Sequence, residues 1–303
     1  MALAITACVE PSTATRSAAI VGGELDTAHT AVLDILDDDE QSCTGTLISP
    51  HVVLTAAHCV VEDVKSPTEL VVFTGPDEKD RSGGQMHTVV EGVIHPSYVP
   101  GQKVVDDERG DMALLVLGEP STIEPMRYNQ KPLTAAMVGT TVEMVGYGDT
   151  TVPYPTSGGG ARRQAPSPLL GFDTDWVRTG TTKITQCYGD SGGPVLAMID
   201  GVEQVIGINS WQDNDDCNEV NYNTRVDLLA GWIAEHVTTY ESRGADGAGA
   251  VTVDPDGGGC QGSRSTSSSN GALLVVIVLV LRRAGTASRE HRRGARDPRA
   301  ART

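Results

Sequence analysis

The sequence predicts an all-β body closed by one C-terminal helix. Between Ile20 and about Tyr240, short apolar runs alternate with Gly, Pro, Asp and Asn, and no helical period separates them. After Asp227 the pattern changes: Leu228, Leu229, Trp232, Ile233 and Val237 recur at helical spacing, with Asp227 placed to cap the helix.

The candidate strands are 51–55, 70–73, 88–94, 112–117, 141–145, 195–199 and 205–208. They are rich in Val, Ile and Leu, side chains that pack well on a pleated surface. Parallel pairing would need helical crossovers between them, and none is patterned. The prediction is therefore an antiparallel barrel or sandwich.

The flanks are built differently. Residues 1–19 are rich in Ala, Ser and Thr and show no packing pattern. There Ile5-Thr-Ala-Cys8 resembles the end of a bacterial lipoprotein signal, although the apolar part is short and no basic residue opens it. Residues 1–19 are thus read as a signal-like remnant with a propeptide. Residues 241–270 read as a Gly/Ser-rich linker, whose composition cannot bury enough apolar surface to order itself. In 271–303, the run from Ala272 to Leu281 is about half the ~20 residues a spanning helix needs. Arginines follow it and would hold the downstream end in the cytoplasm. The order of Gly-rich Cys260, polar linker, apolar run and arginines resembles the C-terminal sorting tags of myxobacterial surface proteins.

The chain of 303 residues carries a formal charge of −17. After Leu281 the arginines outnumber Glu290 and Asp297, so the body is more acidic than the total implies. An acidic body repels phosphate, which excludes a nucleic-acid partner. Cys43, Cys59, Cys187 and Cys217 lie within the strand-patterned region, whereas Cys8 and Cys260 lie in the flanks. The inner four read either as disulfides in an oxidising compartment or as buried thiols.

The chemistry concentrates around Cys187-Tyr-Gly-Asp-Ser-Gly-Gly-Pro-Val195. Such glycine-rich backbone serves either a tight turn or a serine that needs bare N–H groups beside it. The second reading requires partners, and two stretches supply them. Leu54-Thr-Ala-Ala-His58-Cys places a histidine after an apolar strand, and Gly110-Asp111-Met-Ala-Leu places a carboxylate before another. Alone, each is an ordinary structural histidine or turn aspartate.

Together and in this order, the three stretches resemble the motifs of the trypsin-like (chymotrypsin-fold) serine proteases of bacterial type. Ile20-Val-Gly-Gly23, Cys43-Thr-Gly-Thr-Leu-Ile-Ser49, Val93-Ile-His-Pro-Ser-Tyr98, Gly146-Tyr-Gly148, Asn209-Ser-Trp211 and Asn223-Thr-Arg-Val226 extend the likeness from Ile20 to about Tyr240. The resemblance implies two antiparallel six-stranded β-barrels with a C-terminal α-helix and a site in the crevice between the barrels. It implies a serine endopeptidase in which Ser191 is the nucleophile, His58 the base and Asp111 its orienting carboxylate. The N–H groups of Gly189 and Ser191 would form the oxyanion hole. Asp190 would pair with the freed amino group of Ile20, so the protein would be a zymogen cut after Ala19, by itself or by another protease. The disulfides implied are Cys43–Cys59 and Cys187–Cys217.

By the same resemblance Thr185 lies at the base of the specificity pocket, beside Ser210, Trp211 and Gln212, with Asn221 on the other wall. The base carries no carboxylate and the walls are large, so small or medium uncharged residues are expected to fit better than Arg or Lys. The partners expected are peptide or protein substrates, an activating protease and, through the tail, the membrane or cell envelope. No cofactor or metal is expected; Asp37-Asp-Asp-Glu40 and Asp77-Glu-Lys-Asp80 read as solvated turns rather than calcium loops. The location implied is extracytoplasmic, secreted or displayed on the cell surface. The alternative from another class is an inactive binding module on the same fold.

Overall fold

The computed structural model describes residues 20–37, 42–61, 67–81, 83–99, 110–151, 158–213 and 216–246. The signal-like segment, Cys8, Ala19, most of the linker, Cys260 and the apolar and arginine-rich tail lie outside these residues. The strands are β1 (Glu24–Leu25), β2 (Val32–Leu36), β3 (Ser42–Ser49), β4 (Val52–Thr55), β5 (Val71–Phe73), β6 (Met86–Ile94), β7 (Ala113–Leu117), β8 (Arg127–Tyr128), β9 (Thr141–Gly146), β10 (Arg163–Pro168), β11 (Gly171–Phe172), β12 (Trp176–Thr179), β13 (Pro194–Ile199), β14 (Val202–Gln212) and β15 (Asn221–Arg225). One helix, α1 (Val226–Asp246), follows them.

The first half is a closed antiparallel barrel in the order β2-β3-β4-β7-β6-β5. Its interior is filled by aliphatic side chains such as Leu33, Ile35, Leu47, Val53, Val72 and Leu115. Closure leaves no unpaired edge, which suits strands this apolar.

The second half departs from the expected six-stranded barrel. It is an open nine-stranded sheet, β1-β10-β9-β13-β14-β15-β12-β11, with β8 added parallel to β14. Its end strands are β1 and β11, and β1 covers only Arg163 and Gln164 of β10, so the rest of β10 has no ladder partner on that side among the described residues. Pro166 and Pro168 in β10 have no N–H with which to extend a ladder there. A side chain of β10 reaches the end of β12: Gly180 N–H donates to Ser167 Oγ at 2.8 Å.

A further apolar cluster joins the halves, with Val52, Leu54 and Leu114 from the barrel against Leu196, Val205 and Ile208 from the sheet. The helix inserts Val226, Ile233 and Tyr240 into the same cluster. It continues past Tyr240 to Asp246, into the stretch expected to be linker. Asp227 does not cap it. Asp227 lies inside the first turn, where its carboxylate binds Arg225 at 2.6 and 3.0 Å and accepts the Leu133 N–H at 3.2 Å. The C-terminal end is clamped to the barrel by Glu241, which accepts from Ser49 Oγ at 2.6 Å and His51 N–H at 3.1 Å.

A buried polar strap ties the N-terminal segment to both halves. Asp26 binds Arg162 Nε at 2.9 Å, and His29 bridges Asp26 and Glu203, each at 3.1 Å. Arg162 also donates to Val32 O at 3.1 Å, and Tyr147 Oη donates to Gly75 O at 2.7 Å. Burial raises the Asp26 carboxyl, but the bonds from His29 and the Ala28 N–H outweigh it and hold the group at about 2.

Candidate active site

Strand pairing brings the histidine and the aspartate together. β4 and β7 run antiparallel with Thr55 opposite Ala113, so the chain leaving β4 passes the residue that enters β7. His58 Nδ1 lies 2.7 Å from Asp111 Oδ2, and His58 N–H donates to Asp111 Oδ1 at 2.9 Å. Asp111 is fully buried. Ser210 Oγ donates to Asp111 Oδ2 at 2.5 Å, and Thr224 Oγ1 donates to the Asp111 carbonyl at 3.1 Å. Burial raises the Asp111 carboxyl; the charge and hydrogen bond of His58, with the Ser210 bond, overcome that and bring it below the ordinary value. An ionised Asp111 holds the proton on Nδ1 and leaves Nε2 to accept one.

The serine loop is held by a dense set of main-chain bonds. Gly193 N–H donates to Asp190 O at 2.9 Å, which orients the planar 190–191 peptide and therefore the Ser191 N–H. Thr44 N–H donates to Ser191 O at 2.7 Å, and Thr44 Oγ1 donates to Gly189 O at 2.8 Å. Gly189 and Gly192 have φ of 90° and 79°, where a side chain is strained. A Cβ on Gly192 would also fall 2.1 Å from Thr55 Oγ1. The glycine spacing thus lets the loop lie directly on the strand that leads to His58.

Asp190 is fully buried. Its carboxylate accepts Cys187 N–H at 2.8 Å and Gly148 N–H at 2.9 Å. Burial nevertheless pushes it up to about 7; the N–H groups of Cys187, Gly148 and Ile20 lower it and Asp149 raises it. Ile20 is itself fully buried, so the residue expected to pair with Asp190 is already beside it.

Both expected disulfides form. Cys43–Cys59 spans 16 residues and Cys187–Cys217 spans 30. Among the described residues, the only grouping of metal-ligand type is His58 with Cys43 and Cys59, whose sulfurs are bonded to each other.

His58, Gly189 and Ser191 line one cleft of about 850 Å³, which extends to Ser210, Trp211, Gln212 and Asn221. Gln212 and Asn221 face each other across the β14–β15 ladder. Trp211 stacks on Tyr222 with ring centroids 3.8 Å apart, and Trp176 meets both edge-on. Thr185 is fully buried and donates to Asn221 Oδ1 at 2.8 Å; Asn221 lines the cleft and Thr185 does not. Ser210 serves Asp111 as well as the cleft wall. Thr44 and Thr224 escaped the sequence reading. Thr44 had a local signal, because it follows Cys43 in a stretch singled out for its resemblance.

Comparison with known proteins finds similarity over the same region of the chain. The family model described as Trypsin matches residues 20–233. A trypsin of Saccharopolyspora erythraea is 28% identical over 63% of this chain and 86% of its own length. A trypsin of Simulium vittatum is 32% identical over 56% of this chain and 70% of its own. Human serine protease 56 is 29% identical over 66% of this chain but only 35% of its own length.

Proposed function

The chain belongs to the trypsin family and is a serine endopeptidase, and on that premise we propose that it cleaves peptides through His58, Asp111 and Ser191. The observation that carries this is the buried Asp111 carboxylate 2.7 Å from His58 Nδ1, on the cleft that also holds Ser191. Ser191 Oγ attacks the scissile carbonyl while His58 Nε2 takes its proton. The imidazolium so formed is stabilised by Asp111, and the oxyanion by the Gly189 and Ser191 N–H groups. His58 then returns the proton to the leaving amine, and water repeats the sequence to release the acyl group. Ser191→Ala and His58→Ala should each lower kcat on the order of 10⁶-fold without unfolding the chain. A residual rate within tenfold of the parent would refute the assignment. An inert binding module would have no use for a buried, ionised Asp111 aimed at a cleft-facing imidazole.

The proposal includes activation by cleavage after Ala19. Asp190, desolvated and raised to about 7, lacks a full counter-charge until Ile20 carries a free ammonium. A chain beginning at Ile20 should cleave peptides far faster than one retaining the preceding residues; equal rates would remove this part. We place the protein outside the cytoplasm, because two disulfides persist in an oxidising compartment and not against cytosolic thiols. The short apolar run and following arginines support attachment to the cell envelope.

A further inference from the structure

We propose that Thr44 is a positioning residue for the oxyanion hole: its hydroxyl holds the Gly189 peptide in the orientation that the reaction requires. The inference rests on the endopeptidase reading above and adds a residue to it. Thr44 is fully buried and does not line the cleft, so it acts through the serine loop and not on the substrate.

The N–H groups of Gly189 and Ser191 belong to the 188–189 and 190–191 peptides. A peptide is planar, so a bond accepted by its carbonyl fixes the direction of its N–H. Asp149 N–H donates to Tyr188 O at 2.7 Å and so sets the Gly189 N–H; Gly193 N–H donates to Asp190 O at 2.9 Å and so sets the Ser191 N–H. Between these two planes lies the 189–190 peptide, hinged at Gly189, whose φ is 90° and which no Cβ restrains. The Asp190 N–H closes a turn onto Cys187 O at 3.0 Å, a bond internal to the loop. The Gly189 carbonyl accepts from Thr44 Oγ1 at 2.8 Å. Among the described residues that hydroxyl is the one donor to Gly189 O, and it comes from β3 of the barrel.

The hydroxyl is itself fixed. Tyr147 N–H donates to Thr44 Oγ1 at 3.1 Å, which leaves the single O–H proton for Gly189 O. The strand beneath it is held too: Thr55 Oγ1 donates to Thr44 O at 2.9 Å, and Thr44 N–H donates to Ser191 O at 2.7 Å. Tyr147, Gly148 and Asp149 give their consecutive N–H groups to Thr44 Oγ1, the Asp190 carboxylate and Tyr188 O. One short stretch thus braces the loop at three points, and Thr44 carries one of them across to Gly189. Thr44→Val would keep the shape and the main-chain bond to Ser191 O. It would set a methyl against Gly189 O and deprive the buried Tyr147 N–H of its acceptor, so the 189–190 peptide would turn away.

The test uses the full chain matured at Ile20, with Ser191 counted at the end-point of fluorophosphonate labelling. The probes are one peptide that the parent cuts and a peptide boronate of the same sequence, a tetrahedral mimic of the reacting centre. In Thr44→Val, and in Thr44→Ala, which relieves any crowding and serves where Thr44→Val does not fold, kcat should fall on the order of 10-fold to 10²-fold with KM nearly unchanged. Boronate affinity should fall by the same factor as kcat/KM, because both report the tetrahedral state. The pH at which kcat/KM rises reports His58 and should stay at the parental value. Thr44→Ser keeps the hydroxyl and should restore most of kcat. Parental kcat and boronate affinity without the hydroxyl, or no recovery in Thr44→Ser, would overturn the proposal while the enzyme remains active. If Ser191 of the unaltered chain does not label and no peptide is cut, the endopeptidase reading fails and this inference falls with it.

Discussion

Ser210 supports the proposed chemistry through Asp111, because its hydroxyl is given to the buried carboxylate. Its 2.5 Å bond to Asp111 is one of the contacts that keep a fully buried carboxyl ionised against desolvation. Hydrogen bonds to charged groups are worth about 1.5 to 3 kcal/mol. Ser210→Ala should therefore lower kcat roughly tenfold with little change in KM, as steady-state kinetics would report. Asp111→Asn should be far more severe, on the order of 10⁴-fold in kcat, because the amide favours the wrong imidazole tautomer. Near-parental kcat in Asp111→Asn would mean that the carboxylate does not govern His58. The sign of the pH dependence follows from the lowered Asp111 carboxyl: its stabilising ionisation is complete above the ordinary carboxylate range and is lost as pH falls through the depressed value.

Helix α1 shows what was legible at the level of elements and what was not. Leu228, Leu229, Trp232, Ile233 and Val237 announce it through their spacing, and the structure carries Val226, Ile233 and Tyr240 into the shared core. Its capping was misread because Asp227 finds Arg225 and the Leu133 N–H, partners that no local pattern announces. The clamp at its far end was likewise invisible, since Glu241 meets Ser49 and His51 across nearly the whole domain. The same limit explains the second sheet. Alternating apolar residues mark strands, but whether a sheet closes depends on pairing that local patterning does not encode, and β10 with its two prolines carries no strand-like signal. The candidate residues His58, Asp111 and Ser191, by contrast, stand out in the sequence because each sits in a short stretch whose neighbours are specified along with it. Glu241→Ala should cost about 1 to 3 kcal/mol, or several degrees in Tm by calorimetry. The Glu241 carboxyl is raised by burial but brought below its usual value by Ser49 and His51. Its contribution is therefore present above that usual value and fades as pH falls through the lowered one.

For the whole molecule, the proposed cleavage after Ala19 would link maturation to stability through Asp190. While Ile20 lacks a free amino group, the Asp190 carboxyl stands at about 7, well above its unfolded value. Its contribution is thus fully present below about pH 4 and is lost as pH rises through about 7. A free Ile20 ammonium, with an ordinary value near 8, would compensate that loss over the same window. In a Ser191→Ala background, which prevents self-digestion, the Tm advantage of the Ile20-started chain over its precursor should grow between about pH 4 and 7. A constant difference across that range would contradict the linkage. The disulfides add a separate term: each loop closure is worth about 3 to 4 kcal/mol, so reduction should lower the melting temperature of both forms alike.

The central claim is that Asp111 and His58 turn the Ser191 hydroxyl into a nucleophile. The most direct measurement is the rate at which a fluorophosphonate modifies Ser191 in the mature chain, read by mass spectrometry of the peptide that contains it. The account predicts rapid, stoichiometric modification at Ser191 that nearly vanishes in His58→Ala. Modification elsewhere, or a His58→Ala chain that reacts as fast as the parent, would contradict it.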